Sequence, residues 1–92
     1  GITSLGDNYP NPFNLETTIP FTIGEKAKVD LSIYDVLGQR LATLVNSIKE
    51  AGTYEIVWDG SDNRQEKLKP GIYFCRLVAG NKVLVKTMEV ID

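Results

Sequence analysis

The side chains that most often do chemistry are scarce in this sequence. It holds one cysteine, Cys75, and no histidine in 92 residues. A nucleophilic thiol is normally activated by a neighbouring base, most often histidine. Without one, Cys75 reads as a small buried hydrophobe, the usual state of a free cysteine. A lone cysteine excludes an internal disulfide, and with no histidine it excludes a Cys/His metal cluster. The 12 acidic residues supply carboxylates, but none stands in a recognisable acid–base frame. The densest oxygen cluster is Asp59-Gly60-Ser61-Asp62-Asn63. Calcium loops crowd ligands in this way, but the frame and terminal Glu of an EF-hand are missing. Side-chain turns onto the backbone account for the same residues. No catalytic residue, metal or cofactor is expected.

Binding chemistry is equally sparse. Tyr9, Phe13, Tyr34, Tyr54, Trp58, Tyr73 and Phe74 could stack on a sugar, as in a carbohydrate-binding accessory module. Most fall on inward strand phases and read as core. Phe74 is out of phase with Tyr73 and Cys75, so it either lies under the first residues or marks an interaction face. The net charge is −2 and the ten basic residues are scattered. Nucleic-acid binding needs them clustered on one face, so that class is set aside. No apolar run approaches the ~20 residues of a spanning helix. No leader peptide is read at the start, which an excised fragment would lack in any case.

The elements that must carry these residues are mostly strands. Residues 1–16 read as an irregular lead-in, since Pro10 and Pro12 bar a helix interior or a central strand. Tyr9 and Phe13 are expected to pin it to the domain formed by residues 17–92. Residues 17–23 alternate, with Ile19, Phe21 and Ile23 on one face, and Pro20 predicts an edge strand or pairing that begins after it. In 28–34, Val29, Leu31 and Ile33 face inward and Asp30 and Ser32 outward. Gly38 can close a tight hairpin through a positive φ. Residues 39–51 are ambiguous. Leu41, Leu44, Val45 and Ile48 have the spacing of a helix stripe, while the β-branched residues and Asn46-Ser47 oppose a helix. Residues 53–58 alternate through Tyr54, Ile56 and Trp58, and a polar loop follows at 59–71. Strand 72–78 points Tyr73, Cys75 and Leu77 inward. Residues 82–91 form a last strand in which Lys86 and Glu89, on opposite phases, predict a bulge. Short strands between turn signals, with little helix, indicate a sandwich of two antiparallel sheets.

Four motifs then occur in order: Asn8-Tyr9-Pro10-Asn11-Pro12-Phe13-Asn14, Ile33-Tyr34-Asp35-Val36-Leu37-Gly38-Gln39, Gly52-Thr53-Tyr54 with Val57-Trp58-Asp59-Gly60, and Pro70-Gly71-Ile72-Tyr73-Phe74-Cys75-Arg76-Leu77. Together they resemble the C-terminal sorting domains of the bacterial type IX secretion system, and equally the related immunoglobulin-like domain of flagellar hook-capping proteins. The resemblance implies an all-β fold, an immunoglobulin-like or fibronectin-III-like antiparallel β-sandwich of about seven strands. It implies a strand at about 39–45 and a loop to Gly52. Tyr9, Phe13, Gly38, Trp58, Gly71 and Tyr73 are the structural motif residues on this reading. The implied function is a non-catalytic address on a larger secreted protein. The implied partners are the secretion machinery, a surface peptidase and an upstream catalytic or adhesive domain, and the implied destination is the cell surface or exterior. Two departures stand out: Lys86 is the last basic residue, and Cys75 replaces a common aromatic. With no linear signal in view, the address must be a folded surface. Asn11, Pro12, Lys82, Lys86 and Glu89, with the 59–71 loop, are the candidates.

Overall fold

A run of β-branched and aromatic residues with a period of two has one apolar face to bury, and pairing with a second such run buries it. Six runs of this kind and one short extra strand make the fold. The computed structural model describes residues 1–92. Its strands are β1 (Ser4–Leu5), β2 (Thr17–Ile23), β3 (Ala27–Tyr34), β4 (Arg40–Lys49), β5 (Gly52–Trp58), β6 (Gly71–Ala79) and β7 (Lys82–Val90), and there is no helix. They form a three-stranded sheet, β1-β2-β5, and a four-stranded sheet, β4-β3-β6-β7. Every pairing between strands is antiparallel. The two sheets pack as an immunoglobulin-like sandwich.

The core is the sum of the inward phases. The smaller sheet contributes Leu5, Ile19, Phe21, Ile23 and Trp58, and the larger one Val29, Leu31, Ile33, Val45, Cys75, Leu77, Met88 and Val90, all buried. Phe21 stacks on Tyr54 with ring centroids 5.4 Å apart. Gly38 takes φ 82° in the β3–β4 hairpin, where its N–H donates to Asp35 O at 3.0 Å, and a side chain at that φ would be strained. Tyr54 and Tyr73 tie their strands down alike: each hydroxyl donates to the carbonyl four residues upstream, Glu50 O at 2.7 Å and Lys69 O at 2.6 Å. Gly71 opens β6 opposite Val90.

Several expectations differ from the structure. β2 is interior, and Pro20 pairs with Glu55 in an unbroken ladder. Its carbonyl accepts from Gly6 N–H at 2.9 Å on the β1 side. The missing N–H therefore faces the lead-in, where the pairing on that side is already interrupted. β4 runs to Lys49 rather than ending near 45. Its helix-like stripe arises from two irregularities, which leave Leu41 and Leu44 without a partner residue on β3. Ser32 points to the outer face but is fully buried between Thr43 and Arg76 on the flanking strands, its hydroxyl donating to Asp30 Oδ1 at 2.6 Å. β7 carries no bulge, because its register with β6 is regular from Gly71↔Val90 to Ala79↔Lys82.

The lead-in is more ordered than its composition suggests. It pairs with β2 at Ser4 and Leu5, then at Tyr9, which exchanges backbone bonds of 2.9 and 2.8 Å with Thr18. It then crosses to the other sheet. Phe13 N–H donates to Glu89 O at 3.1 Å and Phe13 O accepts from Ile91 N–H at 2.8 Å. Phe13 is buried, with its ring centroid 5.6 Å from that of Trp58. Tyr9 differs from Phe13: its ring is half exposed and only its hydroxyl is held, by Glu55.

Two stability measurements check this packing. Trp58→Ala should cost about 3–5 kcal/mol, as other large-to-small core changes do. Denaturant midpoints read the difference, and a loss under about 1 kcal/mol would contradict the buried position. Deleting residues 1–14 removes the Phe13 ring and β1, so the midpoint should fall. An unchanged midpoint would make the segment a linker.

Candidate recognition surface

Cys75 lies on the inner face of β6 between Ile33 and Lys86 on the neighbouring strands and is almost fully buried. Burial pushes its thiol up to about 12. It is neutral at physiological pH, which is the wrong state for a nucleophile. In the loop, Asp59 Oδ1 accepts the Ser61 hydroxyl and the Ser61 N–H at 3.0 Å. The Ser61 hydroxyl holds the Asp59 carboxyl below its ordinary value. Whatever stability this bond contributes is present above the ordinary carboxylate pKa and is lost as pH falls through the lowered value. Asp62 Oδ1 accepts the N–H groups of Arg64 and Glu66 at 2.8 and 3.0 Å. Both carboxylates thus organise turns. Trp58 Nε1 donates to Ser61 O at 2.9 Å and ties the loop to the core.

The five surface residues fall into two groups along β7. Asn11, Pro12 and Glu89 come together at one end, where Asn11 Oδ1 accepts the Glu89 N–H at 2.9 Å. Lys82 stands at the other end, at the β6–β7 hairpin. Lys86 lies between them. It has the inward phase of Cys75, Met88 and Val90, but on an edge strand its chain can leave the core. Its Nζ reaches Asp7 Oδ1 at 3.3 Å. An inward-facing lysine on an edge strand opposes pairing with a second sheet. Glu89 N–H and O and Ile91 N–H are taken by the lead-in. Backbone groups alternate in direction along a strand, so those of Val83, Val85 and Thr87 face the same way, along the open part of the edge.

Sequence reasoning missed the side chains that cover edges. Asn63 does for β4 what Asn11 does for β7: its Oδ1 accepts Thr43 N–H at 2.9 Å and its N–H donates to Leu41 O at 3.0 Å. Asp7 was not singled out either. Asn8 is buried, with Nδ2 donating to Thr17 Oγ1 at 3.0 Å and Oδ1 without a partner. Asp7 carries no signal beyond being a polar residue in a loop, whereas Asn8 opens the first sequence motif and Asn63 ends the oxygen cluster at 59–63.

The outer face of the larger sheet holds a second feature. The guanidinium carbons of Arg40 and Arg76 lie 5.5 and 5.8 Å from the Tyr34 ring centroid. Arg40 is also paired with Asp30 at 3.0 Å. Beside them a shallow groove is lined by Tyr34, Val36, Phe74, Arg76 and Val85, with Asp35 and Gly38 on its rim. Phe74 thus sits on an outer face.

These strands define a small antiparallel β-sandwich domain of the immunoglobulin-like class. The chain belongs to the secretion system C-terminal sorting domain family, which matches residues 7–91. Two solved structures share the fold. One is the crystal structure of dimeric latent PorU from Porphyromonas gingivalis, with a TM-score of 0.71, 20% identity, and coverage of 98% of this chain and 9% of that one. The other is PorZ, an essential bacterial surface component of the type IX secretion system of the same organism, with a TM-score of 0.64, 21% identity, and coverage of 98% of this chain and 11% of that one. The chain therefore spans about a tenth of the length of each. No curated protein matches the chain in sequence.

A thiol probe tests the reading of Cys75. The native protein should react with a disulfide reagent at pH 8 far more slowly than the denaturant-unfolded chain, because the thiolate is suppressed and shielded. Equal rates would place Cys75 in an accessible site.

Proposed function

We propose that the chain is a non-catalytic C-terminal sorting domain that directs a larger secreted protein through type IX secretion to the cell surface or exterior. The observation that carries this reading is the family match across residues 7–91. The surface supports it. The open edge of β7 at Val83–Thr87 can add its backbone bonds to a receptor strand, a known recognition mode. Lys82, Lys86 and Glu89 keep that edge from self-association and give a receptor charges to read. The partners are then the secretion machinery, a surface peptidase that removes the domain, and an upstream catalytic or adhesive domain. No step of this role needs a cofactor.

The test is export of a passenger. The chain is fused to the C-terminus of a periplasm-targeted fluorescent protein in a host with the type IX machinery. Passenger should appear outside the cell, and should stay periplasmic when residues 82–92 are removed. That truncation also takes Met88 and Val90 from the core. A gentler variant, Thr87→Pro, removes one outward N–H and blocks strand addition while sparing the ladder with β6. It should reduce export and keep its melting temperature within a few degrees. An intact, folded fusion that stays in the periplasm overturns the sorting role, and a structural domain of a hook-cap type assembly then becomes the better reading.

A further inference from the structure

We propose that the groove on the outer face of the larger sheet is a docking site for an extended polypeptide segment that presents a carboxylate beside an apolar side chain. The outer face of an antiparallel sheet is ordinarily polar. Here Val36 and Val85, both exposed, line the groove beside Phe74. A cluster of large apolar side chains on one face marks a contact surface. The charge in the groove names the chemistry of its occupant. The structure has three ion pairs, and their cations are Lys26, Arg40 and Lys86. Arg76 has no carboxylate partner. Its Nη1 makes one long bond, to the Tyr34 hydroxyl at 3.4 Å.

This guanidinium lies 5.8 Å from the Tyr34 ring centroid, and its planar fork matches a carboxylate through two parallel bonds. The acid on the rim does not supply one. Asp35 Oδ1 accepts the N–H groups of Leu37 and Gln39, both at 2.9 Å, and so is committed to its own hairpin. Phe74 and Val85 then receive the apolar neighbour of the incoming carboxylate. The extended form follows from the edge beside it, where Val83–Thr87 leave backbone donors and acceptors open. A sugar would ask for free aromatic faces, and the Tyr34 ring is already engaged by the guanidinium groups of Arg40 and Arg76. This site goes beyond the export reading and holds whether or not the machinery uses the same face.

The test is a titration of the full 92-residue chain with two blocked peptides, acetyl-Leu-Glu-Val-Leu-amide and its Gln counterpart, followed by amide chemical shifts. Shifts should concentrate at Tyr34, Phe74, Arg76 and Val85. The Gln peptide should bind about five- to tenfold more weakly, as expected for loss of one charged hydrogen-bond partner. Arg76→Gln should abolish that preference, so that both peptides bind with the weaker affinity. Three results overturn the proposal: equal affinity of the two peptides for the native chain, shifts centred elsewhere, or none up to about 10 mM peptide. The first measurement needs no variant, so misfolding of Arg76→Gln cannot shelter the idea.

Discussion

The fold turns on one wedge, the Phe13 ring. A sandwich of two small sheets is open at its ends, and a chain of this size has few apolar residues with which to close them. Phe13 is anchored by its backbone to Glu89 and Ile91 at the end of β7, while its ring meets Trp58 of β5 in the other sheet. It thus joins the edge strand of one sheet to the edge strand of the other. Lys67 closes the box: its Nζ lies 5.5 Å from the Phe13 ring centroid and donates to Asn14 O and Asp59 O. The box explains Gly60, where φ is 77° and an added Cβ would sit 3.3 Å from the Phe13 ring and 2.7 Å from Lys67 Nζ. One apolar side chain from the lead-in is therefore packed against a loop more than forty positions later.

Edges are the second constraint. Each outer strand of the four-stranded sheet would otherwise present an unbroken row of backbone donors and acceptors. An asparagine side chain blunts each one, Asn63 on β4 and Asn11 on β7. An inward lysine paired with Asp7 adds a charge to the middle of β7 without taking up its backbone groups. The exposed stretch at Val83–Thr87 is what these devices leave. It is short enough to discourage promiscuous pairing and long enough for a few specific bonds.

How far these features could be read from the residues depends on whether their cause is local. The inward phases of β2, β3, β5 and β6 are legible because alternation is a property of a few consecutive residues. In β4 the two irregularities against β3 shift the phase, so Leu41, Leu44, Val45 and Ile48 imitate a helix although the strand is continuous. In β7 the phases of Lys86 and Glu89 conflict only if every inward position is assumed to be core. At an edge, a long side chain on the inward phase reaches solvent. The five candidate surface residues can be named from the sequence, but their grouping cannot. Asn11 with Glu89, and Lys86 with Asp7, are partners only once the lead-in has crossed between the sheets. Ser32 fails the same rule from the other side, because cover from neighbouring strands is invisible in alternation.

That distance between partners bears on how such a domain can serve as an address. The contact between Asn11 and Glu89 spans 78 positions. The groove draws Tyr34 and Val36 from one hairpin and Phe74, Arg76 and Val85 from another. A receptor that reads these surfaces reads the folded sandwich, since the first is assembled by the lead-in pairing with β7 and the second by β3, β6 and β7 pairing within the larger sheet. An unfolded chain offers the same residues in no fixed relation and gains affinity only after meeting the ordering cost itself. Discrimination between folded and unfolded chains then needs no separate device. It follows wherever the groups that a receptor reads stand on strands far apart in sequence.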